Sequence, residues 1–411
     1  MLDGLREVPP TAGLPLRWRD FLPTPGRSFE AGLAAQLHLP AVQIECSGTA
    51  ALIVALAALK HDSARRSVII PAYTCPLVAL AIARCGLKPV LCDLRKDHFD
   101  LSPQALEQAC NDDTLAIIPT HLGGRVADVI SARNIALRFG ASVIEDAAQS
   151  LGATWQGQPV GTLGDVGFYS LAVGKGLTLY EGGVLIARET RLRGQLHQAS
   201  EQIAAYRLIW ESRRLLELAG YAALYRPIGL RLAYGAPLRR ALKKGRLIEA
   251  VGDDFTADIP VHRVGAWRRA IGANALTRLP SFLETLTAQA ALRKKILAAI
   301  PGLSVMNDPV GGRGTWPYLM VLMPTARARD AALAQMWHAG LGVSRLFIHA
   351  LPDYTYLAVS LGKTDVPNAR DFAARMLTIS NSPWLDEMDF MRICKVLTQC
   401  VRAHGDSRDR S

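Results

Sequence analysis

One lysine stands alone in a long uncharged stretch. Between Asp165 and Glu181 the run GDVGFYSLAVGKGLTLYEGG (164–183) holds a single charged side chain, Lys175, with Gly174 and Gly176 on either side. A solvated lysine titrates near ~10.4 and is a poor nucleophile at neutral pH, whereas burial disfavours its charge and lowers that value. A lysine in a dry pocket can then condense with an aldehyde. Flanking glycines allow close approach and unusual backbone angles. Taken alone, the stretch reads more simply as a surface turn whose lysine stem lies over apolar neighbours.

Other residues bear on that choice. Asp146, within VIEDAAQS (143–150), ends a strand before small residues, where a carboxylate can hold a pyridine nitrogen protonated. SGTAAL (47–52) offers backbone N–H groups and the Thr49 hydroxyl at a helix start, the kind of place where phosphate binds. Ser170, five residues before Lys175, adds a hydroxyl. A lysine for an imine, an anion for a ring nitrogen, a phosphate cradle and a wall for the ring are what pyridoxal 5'-phosphate requires. Each group also has a plainer reading: Asp146 and Ser47 as helix caps, Ser170 as a strand residue.

The elements around these residues alternate. Helical patterns over 49–60, 76–86, 102–110 and 129–140 separate short β-rich runs at 67–70, 89–94, 115–121 and 142–148. Ser102 followed by Pro103 reads as a cap and first turn. Such alternation implies crossover units, hence an α/β fold with a mostly parallel central sheet, whose ligands sit at the carboxyl ends of the strands. Residues 200–250 read as helices broken at Pro227 and at Gly235-Ala236-Pro237. From about 300 onward strands and helices mix in a smaller α+β unit. The segment ARDAALAQMWHAGLGVSRLFIHAL (328–351) scans superficially as helix-turn-helix, but its large apolar Trp337 and Phe347 and few outward base-reading groups argue against nucleic acid as a partner. The tail GDSRDRS (405–411) is expected to fray.

The chain has 411 residues, and half are hydrophobic, which suits a large globular protein. No apolar run is long enough to span a bilayer and the N-terminus lacks a secretion-signal pattern, so a cytoplasmic location is expected. Seven scattered cysteines with no Cys-x-x-Cys pair read as reduced thiols. The nine histidines show no ligand spacing, so no metal site is expected. Net charge is +11, of which +8 comes from residues 191–250, with twelve Arg/Lys against four Glu. Basicity confined to one segment suggests a local patch.

In order and spacing, the motifs SGTAAL, PAYTCPLVALAIARCGLKPVLCDL (71–94), HLGGRVAD (121–128), VIEDAAQSLGA (143–153) and the lysine stretch resemble the DegT/DnrJ-type (StrS-like) aminotransferases. Those are pyridoxal-phosphate enzymes of fold type I that aminate keto sugars, mostly nucleotide-linked. The resemblance runs from about 44 to 188, resumes at VHRVGAWRRAIGANAL (261–276), and is weaker at ISNSPWLDEM (379–388). It implies an N-terminal arm (1–40), a large cofactor domain (41–299) with an insertion at about 200–260, and a small C-terminal domain (300–411). It also implies that Lys175 binds the cofactor covalently and shuttles the proton, that Asp146 pairs with the ring nitrogen, and that Gln149 lies by the ring hydroxyl. Gly48, Thr49 and Ser170 would hold the phosphate. The implied donor is glutamate, the implied acceptor a keto sugar of glycan or secondary-metabolite biosynthesis, and the implied assembly a homodimer sharing its active site.

Three departures stand out. The aromatic that commonly follows the Thr of PxxT is Cys75 here; Tyr73, two residues earlier, would share a strand face with it and substitute as the ring's wall. The usual Asn-Tyr-Arg is Val261-His262-Arg263. The third is the basic insertion, read as a helical excursion over the dimer or the active-site mouth, ahead of attraction for an anionic substrate or contact with an anionic membrane surface. Two alternatives stay open: a ketone of the aminocyclitol type, and a fold of this kind that binds a ligand without turnover.

Overall fold

The computed structural model describes residues 6–22 and 26–405. The expectation for the C-terminal tail falls on residues that, apart from Gly405, lie outside those described.

A seven-stranded sheet forms the centre. Its spatial order is Val42–Glu45, Gly183–Ala187, Val166–Ser170, Ser142–Asp146, Thr114–Ile117, Ser67–Pro71 and Lys88–Cys92. The four pairings from Val166–Ser170 onward are parallel, and the two involving Gly183–Ala187 are antiparallel. The inner strands are buried along nearly their whole length. That explains their continuous apolar runs, since a parallel sheet covered on both faces has no solvent side. The helix Gly48–His61 packs on two of these strands and is the most apolar of the crossover helices. Ser47 begins it by accepting the Ala50 N–H at 2.9 Å. Ser102 likewise caps Pro103–Ala109, and Gly140 closes Val129–Phe139 in the left-handed conformation.

A second sheet is antiparallel, in the order Ser304–Val305, Tyr318–Leu322, Met376–Ser380 and Val343–Ser344. It has its own core, with Leu319, Val321, Leu377 and Ile379 beneath Ala326–Met336 and Glu387–His404. After Ala326–Met336 the chain enters the strand Val343–Ser344, so the helix-turn-helix pattern at 328–351 has no second helix.

The basic segment is helical: Leu208–Leu224, Pro227–Leu230, a wide π turn at Arg231–Gly235, Ala236–Lys243 and Leu247–Val251. The break at Pro227 is present. The one expected at Gly235-Ala236-Pro237 is not: the chain runs through in helical angles, the Ala236 N–H reaches back to the Arg231 carbonyl, and Pro237 sits in the first turn of the next helix, where its missing N–H is tolerated. Much of the segment's charge is paired internally or with the chain before it. Arg231 and Arg239 meet the buried Glu7, at 3.4 and 2.8 Å, and Arg213 and Arg214 meet Glu217. All seven thiols are free, and no helix among the described residues is long and apolar enough to cross a membrane.

Candidate active site

A cavity of about 660 Å³ opens at the carboxyl ends of the parallel strands. Gly48, Thr49, Cys75, Asp146, Gln149, Ser170 and Lys175 all line it. Asp146 ends one strand and Ser170 the next, while Gly48 and Thr49 begin the helix across from them. The approach is close: a Cβ on Gly48 would lie 3.1 Å from the Cβ of Ser170. Only a residue without a side chain lets the helix start approach Ser170 this closely.

Asp146 is buried, and its Oδ1 accepts the Ala148 N–H at 3.0 Å. Burial pushes its carboxyl up, while the Ala148 N–H and the Lys175 ammonium oppose that shift. Lys175 is half-buried, and desolvation lowers its ammonium, with the Asp146 carboxylate pulling the other way. The two charges thus feel each other within one cavity. The Cys75 thiol is pushed up to about 12 by burial, so it stays protonated. Gln149 accepts at Oε1 from the Gly123 N–H at 2.8 Å and from the Tyr318 hydroxyl. Those two donors fix the orientation of the amide and leave its NH₂ as the remaining donor.

Beneath Asp146 lies a buried network. His121 Nδ1 accepts the Ala127 N–H at 3.0 Å, so Nε2 carries the proton and donates to Glu145, also at 3.0 Å. Glu145 further accepts the N–H groups of Gly161, Leu163 and Gly164. This fixes the end of the strand that presents Asp146.

Tyr73 does not line the cavity. Residues 72–74 bend rather than continue the strand, so the alternation that would place Tyr73 beside Cys75 does not apply. Its ring is edge-on to Phe347 and Phe372, and its hydroxyl bonds the main chain of Phe347 at 3.2 Å. The aromatic rings that do line the cavity are Phe168, Tyr234, Phe255, Tyr318 and Phe347.

Other lining residues escaped the sequence reading. Arg345 reaches the cavity from the second sheet, and its Nη2 is held by the carbonyls of Ile348 and Ala373. No carboxylate among the described residues lies within ion-pair distance of it. The end of the basic segment, Val251–Pro260, forms an outer wall. There Asp253 Oδ2 accepts the Tyr354 hydroxyl at 2.6 Å and the Ile348 N–H at 2.9 Å, and burial pushes its carboxyl up to about 6. Asp253 and Arg345 come from segments 78 and 170 positions beyond Lys175 in the chain, with no local pattern to announce them.

The sequence model of the DegT/DnrJ/EryC1/StrS aminotransferase family matches residues 24–206 and 262–398. The chain belongs to that family. The stretch between the two matched parts, 207–261, overlaps the basic segment. Over 390 residues the chain is 24% identical to the dTDP-4-dehydro-2,3,6-trideoxy-D-glucose 4-aminotransferase of Saccharopolyspora spinosa, covering 93% of this chain and 90% of that one. It is 35% identical over 199 residues to the UDP-N-acetyl-3-dehydro-alpha-D-glucosamine 3-aminotransferase of Acidithiobacillus ferrooxidans, about half of each chain at 47% and 53%. The crystal structure of DesI with its TDP-sugar product superposes with a TM-score of 0.72, over 100% of this chain and 98% of that one. At 20% identity, that likeness is one of fold.

Proposed function

We propose that this family member transfers an amino group, with glutamate as donor, to the ketone of a nucleotide-linked sugar, using pyridoxal 5'-phosphate bound in the cavity. The observation that carries this is the presence of Lys175, Asp146 and the Gly48–Thr49 helix start in one cavity. When bound, the cofactor supplies an electron sink for the carbanion formed at the donor's α carbon. The N–H groups at the start of Gly48–His61, with the Thr49 and Ser170 hydroxyls, would hold its phosphate. The Asp146 carboxylate would keep the ring nitrogen protonated, and the Gln149 NH₂ would donate to the ring hydroxyl. Lys175 Nζ, with its ammonium form disfavoured by desolvation, would take the proton from the donor's α carbon and return it. Arg345, a cavity guanidinium with no carboxylate partner among the described residues, would pair with a donor carboxylate.

We infer a homodimer as well. Trp18, Leu22 and Trp267, on adjoining elements, leave 58%, 61% and 58% of their surfaces exposed, which suits an apolar contact with a second copy. Size-exclusion chromatography with light scattering should return twice the chain mass.

The activity is tested by reconstituting the protein and adding glutamate without acceptor. A single-turnover absorbance shift, followed by amination of one of a panel of nucleotide keto sugars read by mass, is the expected result. A yellow protein whose spectrum no amino donor changes would favour a binding protein without turnover.

A further inference from the structure

Most of the basic segment lies outside the family match; it meets the end of the lysine stretch directly, where Arg214 pairs with Glu181, and it reaches the glycines beside Lys175 through the arm at residues 7–14. The arm bonds directly to the loop: the Leu14 N–H donates to the Gly176 carbonyl at 2.7 Å, and Gly13 and Gly176 form a parallel bridge. The fit is close on both sides. A Cβ on Gly13 would lie 3.2 Å from the Gly174 Cα, and one on Gly174 would lie 2.1 Å from the Thr11 Oγ1. Gly174 and Gly176 have φ of 77° and 80°, so this loop is held in a backbone state that only glycine adopts cheaply.

The arm is in turn held by the inserted helix Leu208–Leu224 and the residue after it. The Tyr225 hydroxyl accepts the Gly13 N–H at 2.9 Å and donates to the Thr11 carbonyl at 3.1 Å. The Tyr221 hydroxyl donates to the Leu14 carbonyl at 3.3 Å. Both tyrosines are buried and stack with ring centroids 4.4 Å apart, and Trp384 backs Tyr225 at 5.1 Å. Further along, Arg231 and Arg239 grip Glu7, and the Glu7 N–H donates to the Pro227 carbonyl at 3.0 Å. The arm is therefore fastened to the insertion at both ends and to the lysine loop at one.

We propose that the insertion acts in cis on the active site, with Tyr225 and Tyr221 as positioning residues that fix the Lys175 loop through the arm. The amine must sit within reach of a cofactor carbon and a donor proton, and a displacement of one ångström is enough to slow proton transfer. Fastening the loop from outside the sheet gives Lys175 a defined position where glycines would otherwise leave the backbone free. This rests on Lys175 being the reactive amine; if that reading fails, the unaltered protein will show no reducible adduct, whereas the exchange result below stands without it.

The test is hydrogen–deuterium exchange on the reconstituted protein, unaltered and as Tyr225→Phe, which keeps the ring and its stacking but removes both hydrogen bonds. Exchange in peptides covering 7–14 and 174–177 should rise about tenfold, with Tyr318–Leu322 unchanged. The turnover number should fall about tenfold while KM for glutamate changes less than about twofold, and the pH dependence of the cofactor absorbance should shift. Gly13→Ala, which presses on the same contact from the other side, should give the same local pattern. Leu232→Ser, on an exposed part of the insertion, should change nothing. Faster exchange in the arm with 174–177 unchanged would overturn the proposal, and so would a uniform rise that includes Tyr318–Leu322.

Discussion

Asp146 and Lys175 act on each other across one cavity, each favouring the charged form of the other against the desolvation both suffer. The acid comes from the end of a parallel strand and the amine from a glycine-flanked loop 29 positions later. The β strand Val166–Ser170, paired in parallel beside Ser142–Asp146, is what brings them together.

Asp146→Asn preserves an oxygen for the Ala148 N–H but removes the negative charge. Turnover should drop about 10²-fold or more while the protein still binds cofactor, because the lost contribution is electrostatic. Steady-state rates beside cofactor content check this; a variant with near-normal turnover would deny Asp146 its role.

Arg345→Gln should raise KM for glutamate about tenfold or more with a smaller change in turnover number, as expected when a charge-assisted pair made in both ground and transition states is lost. Arg345→Lys should recover part of the loss. An unchanged KM for glutamate would assign the guanidinium another task.

Glu145 is a stability residue. Replacing it with Leu would strand the N–H groups of Gly161, Leu163 and Gly164 together with the His121 ring N–H, all inside the protein. The expected cost is about 3–5 kcal/mol in urea unfolding, more than loss of a surface pair would cause. A loss below about 1 kcal/mol would mean the site relaxes or hydrates.

Asp253 should leave a pH signature. Burial raises its folded value from the ordinary 3.8 to about 6, so the native state prefers the proton. The stability this confers is complete below pH 3.8 and is lost as pH rises through about 6. Between pH 7 and pH 5 it amounts to about 1–2 kcal/mol in favour of the lower pH. Asp253→Asn should flatten that component, read as the difference between the two proteins in unfolding free energy at the two pH values.

Several parts of this were legible in the chain. The Ser47 and Ser102 caps, the glycine closing Val129–Phe139 and the apolar runs of the inner strands are local rules, and the elements follow them. Gly48 and Thr49 at a helix start and Asp146 at a strand end were expected at one sheet edge, and the family resemblance added Ser170 and Lys175; all five line one cavity. Tyr73 was misplaced because the alternation argument assumed a strand where the backbone bends. Pro237 was misread because a π turn can carry a proline through a helix. The strut from Tyr225 through Gly13 to Gly176 and the arrival of Arg345 join segments about 170 to 210 residues apart in the chain, and no period or motif encodes them.

The most direct measurement is borohydride reduction of the reconstituted protein followed by peptide mapping. A pyridoxyl mass on the peptide containing Lys175, absent from Lys175→Ala, is the result expected. The same mass on a different lysine, or persisting in Lys175→Ala, would contradict the assignment of this cavity as the site of the chemistry.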